Sequence, residues 1–214
     1  MGTAAVEHRP SRLRADASRN RERIVAAARD ALVESGPDTP LDEIARRAGV
    51  GNATLYRNFA DRRELFRTVT LSVLDQAARR GEASMAEEPD AFTALERFAH
   101  ESAAARIGAQ CTLLCMFDPR EDAELNTARE RLTGVVATLL DRARTAGQLR
   151  DDVGPGDLLV ALAQLTRPLP GTGCPSIDHY ASRHLQVFLD GLRAPARSTL
   201  PGTAATLEGL RRES

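Results

Sequence analysis

Residues 38–66 read DTPLDEIARRAGVGNATLYRNFADRRELF. Thr39 suits a helix N-cap and Pro40 the first helical position. Asp42 and Glu43 follow in the first turn, where orphan amides and the helix dipole favour acids. A short helix over 40–48 then buries Leu41, Ile44, Ala45 and Ala48, and Gly49 ends it. Val50 packs inward, and a further short helix runs from Asn52 to Asn58 or Phe59. Two short helices joined by a tight turn match the geometry of a helix-turn-helix. Ala45 is small where the helices must cross, and Gly49 can take a positive φ in the turn. The later helix offers Asn52, Ala53, Thr54, Tyr56, Arg57 and Asn58 to a major groove, while Leu55 and Phe59 belong to the core. From spacing alone, a plain helical hairpin inside a bundle fits equally well.

Upstream, Ser18 caps a helix that runs to about Ser35, with Ile24, Ala28, Ala31 and Leu32 on one buried stripe. Gly36 and Pro37 stop it. Residues 1–17 are polar and arginine-rich and are expected to form a flexible basic arm. Its Arg9, Arg12 and Arg14, with Arg19 just beyond, are candidates to follow a nucleic-acid backbone or minor groove. Downstream, Asp61 and Glu64 form a capping box for a helix carrying Leu65, Phe66, Val69, Leu71, Val73 and Leu74 to about residue 79. The polar run GEASMAEEPD at 81–90 reads as a break, with a domain boundary near 75–88. Helical patterns follow at 90–107, 109–117, 121–146, 155–168 and 177–192. Nothing alternates with period two over a strand's length. The expected organisation is all-α: a head at 18–78 with a three-helix helix-turn-helix, a helical body at 88–193, and a disordered tail at 194–214.

Charge narrows the function. The 214 residues hold 29 arginines, no lysine and 30 acids, for a net charge of −1. Residues 1–72 carry +3 and the rest −4, so only the front of the chain suits a polyanion. A histone-like wrapper needs a larger positive excess. No secretory signal opens the chain and no stretch of 18 apolar residues appears, so no membrane is expected as a partner and the cytoplasm is the expected compartment. Cys111, Cys115 and Cys174 have no framework spacing. Cys111 and Cys115 share a helix face, but His100, His179 and His184 stand at no metal-ligand spacing beside them, so neither metal nor cofactor is expected. Glycine-rich phosphate loops, HExxH and GxSxG are all absent, and Asp118, Glu121, Asp122 and Glu124 read as the start of a helix. An enzyme is not expected.

The same stretch closely resembles the N-terminal DNA-binding domain of the TetR/AcrR family of bacterial transcriptional repressors. The Ala-rich IVAAARDALVESG at 24–36 matches the family's first core helix. Thr39 or Pro40 onward to Ile44, Ala45, Ala48, Gly49 and Val50 matches its next segment. The recognition-helix signature T-L-Y-x-x-F stands as Thr54, Leu55, Tyr56 and Phe59, followed by Arg62, Glu64 and Leu65. The resemblance spans about residues 18–70. Gly51 departs from a frequent Ser, and Asn58 from a frequent His.

That resemblance implies phosphate contacts for Thr39, Thr54, Tyr56, Asn58 and Arg62, all hydroxyl, amide or guanidinium groups suited to fixing register. Gly51, Asn52, Ala53 and Arg57 are better placed for base edges. It also implies a homodimer on a palindromic double-stranded DNA operator, with 155–168 and 177–192 forming a four-helix interface. An unknown small-molecule effector would bind in the body, with Phe92, Leu95, Phe98, Gln110, Leu114, Met116, Phe117, Gln164 and Arg167 as candidate lining. The expected function is a sequence-specific transcriptional regulator, a ligand-responsive repressor. The alternative is a helical protein-interaction module without sequence-specific DNA binding.

Overall fold

Alanine, leucine and arginine, which favour helix, recur along the chain at helical spacing. The computed structural model describes residues 9–106, 117, 122–166 and 176–205. Among them are eight helices and an isolated antiparallel bridge between Leu149 and Arg193, so the all-α expectation holds. The chain divides into two compact units, Met1–Thr70 and Leu71–Ser214.

The first unit contains α1 (Arg9–Ser35), α2 (Leu41–Ala48), α3 (Asn52–Asn58) and the start of α4 (Arg62–Glu87). Ile24, Ala28 and Ala31 of α1 close over Ile44, Ala45 and Ala48 of α2, with Leu55, Phe59, Leu65, Phe66 and Val69 completing the core. Leu41 is only partly buried. The helix expected to start at Ser18 starts at Arg9, so the predicted arm is helical from that residue. Pro10 falls in the first turn, where its missing N–H breaks no bond. Ser18 is no cap; its hydroxyl donates to Glu22 Oε1 at 3.0 Å. Thr39 is not the α2 cap either. Pro40 holds that position without a side-chain bond, and its carbonyl accepts from Glu43 and Ile44. At the head of α4 half of the expected capping box forms: Glu64 N donates to Asp61 Oδ1 at 2.7 Å, but the Glu64 carboxylate accepts from Ala60 N at 2.7 Å, one residue before the cap, rather than from Asp61 N.

The polar run at 81–90 is not a break before residue 88, because α4 continues to Glu87. Gly81 and Ser84 look like linker residues in sequence but are buried. A Cβ on Gly81 would lie 2.3 Å from Val135 Cγ1, so the glycine lets two helices approach. Ser84 returns its hydroxyl to Arg80 O at 2.8 Å.

The second unit adds α5 (Ala91–Ala104), α6 (Ala123–Thr145), α7 (Pro155–Leu165) and α8 (Ser176–Gly191). The pattern expected at 109–117 lies outside the described residues except for Phe117. Asp90 caps α5 through Thr93 N at 2.8 Å, and Asp122 caps α6 through Leu125 N at 3.1 Å. Phe92, Leu95 and Phe98 pack with Leu125, Val136, Leu139, Leu158, Leu162, Leu185 and Leu189 as the buried core. Residues 194–205 are not the disordered tail expected of them. Ala194 N donates to Gln148 O at 2.9 Å, and Gly156 N donates to Ala205 O at 3.0 Å. The buried Arg150 guanidinium donates to Ser198 O at 2.6 Å and pairs with both oxygens of Asp152.

Candidate nucleic-acid interface

The turn between α2 and α3 is set by one residue. Gly49 adopts φ 63° and ψ 37°, the left-handed conformation that glycine takes without a Cβ penalty. Its N–H donates to Arg46 O at 3.1 Å and that of Val50 to Ala45 O at 3.0 Å, the paired bonds of a Schellman ending. Arg23 of α1 donates from Nη2 to Gly49 O at 3.2 Å and ties the turn to the first helix. The chain then straightens at Gly51, whose carbonyl accepts from Thr54 N at 2.8 Å and starts α3.

α3 buries Leu55 and hands Phe59 to the core, so its remaining residues face outward. Gly51, Asn52, Ala53 and Arg57 are exposed, Thr54 and Asn58 are partly exposed, and Tyr56 is 53% exposed. Six of these seven predicted residues lie on α3 and the seventh, Gly51, is its N-cap. Arg57 folds along its own helix, donating from Nε to Ala53 O at 3.1 Å and from Nη2 to Thr54 Oγ1 at 3.0 Å. Asn58 Nδ2 donates to Thr54 O at 2.8 Å. Asn52 Nδ2 donates to Asp42 Oδ1 at 2.9 Å.

Thr39 and Arg62 are placed differently. Both attach to the Gly36–Pro37 turn: Thr39 Oγ1 donates to Gly36 O at 2.9 Å and Arg62 Nη1 to Pro37 O at 2.6 Å. Thr39 is only 4% exposed, and Arg62 lies 5.4 Å over the Phe66 ring. Thr39 thus serves the interior of the unit, while Arg62 braces the same turn from its partly exposed edge. Sequence reasoning missed Arg21, Arg23 and Asp42. Arg21 donates to Asn58 O at 2.8 Å and lies 4.3 Å over Phe59, so it holds the end of α3 from 37 residues away. No local pattern announces such a contact.

Short polar α3, carried on a glycine turn and buttressed by two arginines of α1, is a DNA-reading arrangement. Comparison with known proteins agrees. Residues 24–69 match the model of the tetR family of bacterial regulatory proteins, and residues 88–194 match the C-terminal domain of SbtR-like transcriptional regulators. A TetR transcriptional regulator of Streptomyces coelicolor is 31% identical, with TM-score 0.59, across 82% of this chain and 99% of that one. The chain belongs to the TetR family. A TetR transcription regulatory protein of Mycobacterium vanbaalenii is 29% identical, with TM-score 0.60, over 85% of this chain and 99% of its own. The HTH-type transcriptional regulator TtgW of Pseudomonas putida is 41% identical over 59 residues, 27% of this chain and 44% of that relative. The match thus spans under half of that relative's length. As a TetR-family protein the chain is a DNA-binding transcriptional regulator, not an enzyme.

In the TetR body, the candidate lining residues do not all gather. Phe92, Leu95, Phe98 and Phe117 are buried, and the Arg193 guanidinium lies 3.9 Å over the Phe92 ring. Gln164 is exposed on α7, so it faces solvent rather than that core. Gln110, Leu114, Met116 and Arg167 lie outside the described residues, as do Cys111, Cys115 and Cys174. Among the described residues no group of three or more His, Cys, Asp and Glu is placed to hold a metal ion. No described helix is long and apolar enough to cross a membrane.

Proposed function

We propose that the protein is a cytoplasmic, ligand-responsive repressor that binds a palindromic operator as a homodimer. The observation that carries this is the outward face of α3, where Gly51, Asn52, Ala53, Thr54, Tyr56, Arg57 and Asn58 are offered to a major groove. Thr54, Tyr56 and Asn58 fix register on phosphates, and Asn52 and Arg57 meet base edges. Arg62 joins the phosphate contacts by exchanging its bond to Pro37 for one to DNA. Thr39 keeps its inward hydroxyl bond and holds the turn beneath α2.

A single head covers one half-site, and successive half-sites lie about 34–36 Å apart, so two heads are needed. The surface of α7 and α8 supports self-association. Tyr180 and Val187 are 50% and 64% exposed and share one face of α8 with His184, while Leu159, Leu165 and Phe188 are only partly buried. A closed two-fold pairing covers such a face. The body takes a small-molecule effector whose binding lowers operator affinity. A hundredfold loss requires a coupling of only about 2.7 kcal/mol.

The test is in-vitro selection of randomised duplex DNA by the purified protein, with a Tyr56→Ala, Arg57→Ala double variant as control. Enrichment of a palindrome by the wild type alone is the expected result. No enrichment at low salt from folded protein would assign the head to protein–protein contacts instead.

A further inference from the structure

One side-chain pair joins the outer corners of α2 and α3. Asp42, in the first turn of α2, accepts a 2.9 Å hydrogen bond from Nδ2 of Asn52, the first residue of α3. Both residues are exposed. An ionised carboxylate only accepts hydrogen bonds, so the Asn52 carboxamide must turn its NH2 toward Asp42 and its carbonyl away. Chemistry therefore fixes which end of the amide is which. One amide N–H is engaged; the second N–H and Oδ1 have no partner among the described residues. The remaining N–H and Oδ1 are one donor and one acceptor, the two group types that meet N7 and the N6 amino group of adenine.

We infer that Asp42 is a positioning residue, which holds the Asn52 carboxamide in the orientation that selects adenine in each operator half-site. Asn52 makes the base contact and Asp42 acts through it. The inference rests on the DNA-binding function proposed above. An unrestrained exposed asparagine samples several rotamers and both amide orientations, and ordering it on DNA weakens the contact. Asp42 removes that cost in advance. Its negative charge opposes phosphate binding in general, so its contribution is to choice of base rather than to affinity. An acid in the first turn also favours the α2 dipole. If that were its whole role, its loss would alter stability and not the preference at a single base pair.

The experiment takes the operator selected by the wild type and changes each base pair in turn. Affinities are measured for wild type, Asn52→Ala, Asp42→Ala and Asp42→Asn, all with melting curves as folding controls. Asn52→Ala should abolish discrimination at one A·T pair per half-site, a loss of roughly tenfold. Asp42→Ala should lose most of the same discrimination at the same pair, with other pairs unaffected and total affinity equal or higher. Asp42→Asn offers Asn52 either a carbonyl or an NH2, so it no longer fixes the amide orientation and should keep only part of the preference. The assignment is overturned if Asp42→Ala keeps the wild-type preference there, or weakens all pairs alike. It is overturned equally if Asp42→Asn keeps the full wild-type preference, or if Asn52→Ala changes no pair. A wild type that selects no sequence would remove the DNA-binding function, and this inference with it.

Discussion

Gly49 shows how much one residue decides. Its left-handed backbone closes α2, and Arg23 Nη2 would lie only 2.5 Å from a Cβ placed there. Gly49→Ala therefore meets two penalties: the left-handed conformation, about 1–2 kcal/mol for a residue with a Cβ, and displacement of the Arg23 side chain from Gly49 O. Urea unfolding should show a loss of about that size, and a variant as stable as wild type would mean that the turn does not need the glycine. At this scale the sequence was informative where a residue acts locally. Gly49, Leu55 and the exposed run Gly51 to Asn58 were legible because turn chemistry and helical period act over a few positions. The cap role that local sequence suggests for Thr39 fails because its hydroxyl bonds backward to Gly36 O instead of forward to α2. Arg21 and Arg23 were missed because their partners lie 37 and 26 residues away.

At the scale of elements, periodicity located the helices but not the connections that close on backbone. The segment 194–205 has no apolar period, so it reads as tail, yet main-chain bonds and one buried guanidinium dock it. Its far end sits against the start of α7. Gly156 N donates to Ala205 O, Ala205 N donates to Asp157 Oδ1 at 3.0 Å, and Gly154 N donates to Asp157 Oδ2 at 2.7 Å. A Cβ on Gly156 would lie 2.2 Å from Ala205 O, a backbone atom that cannot swing aside alone. Gly156→Ala should release this end of the segment, seen as faster amide exchange at Ala205 and faster proteolysis within 195–205. Gly134→Ala is the control, since a Cβ there has nothing within 4 Å and the helix interior favours alanine. Equal exchange in the two variants would show that the segment is held elsewhere. The extent of α4 was hidden for a related reason. Gly81 reads as a breaker, and only its packing against Val135, Leu139 and Phe98 shows why a glycine stands in a helix.

Across the whole molecule, the cations are all arginine apart from four histidines, and this determines which way stability depends on pH. Hydrogen bonds to acids raise Arg46, Arg47, Arg97, Arg131 and Arg150 above an already high ordinary value, so these cations keep their charge through any working pH. Only the carboxylates can release the pairs. In the first unit, Arg46 and then Arg47 hold Glu43 down from 4.5 to about 2. In the second, the Gln148 amide, followed by Thr93, holds Asp90 down from 3.8 to about 2. Asp75, held chiefly by Arg79, and Asp152, held chiefly by Arg150, are lowered as well. A carboxyl with a folded pKa below its unfolded one stabilises fully above the unfolded value, and that stabilisation disappears as pH falls through the folded value. The window here opens near pH 4.5 and closes near pH 2. Exposed pairs are individually weak, so the effect shows as a slope built from several groups rather than one step. Urea midpoints measured from pH 7 down to about pH 2 should hold level and then fall across that window. Glu43→Gln removes one titrating member, since its amide cannot take up the proton that breaks the Arg46 and Arg47 pairs. Its midpoint should start lower at pH 7 and fall less steeply. A Glu43→Gln slope matching the wild type would mean that the cluster on α2 persists in the unfolded chain, where it cannot favour folding.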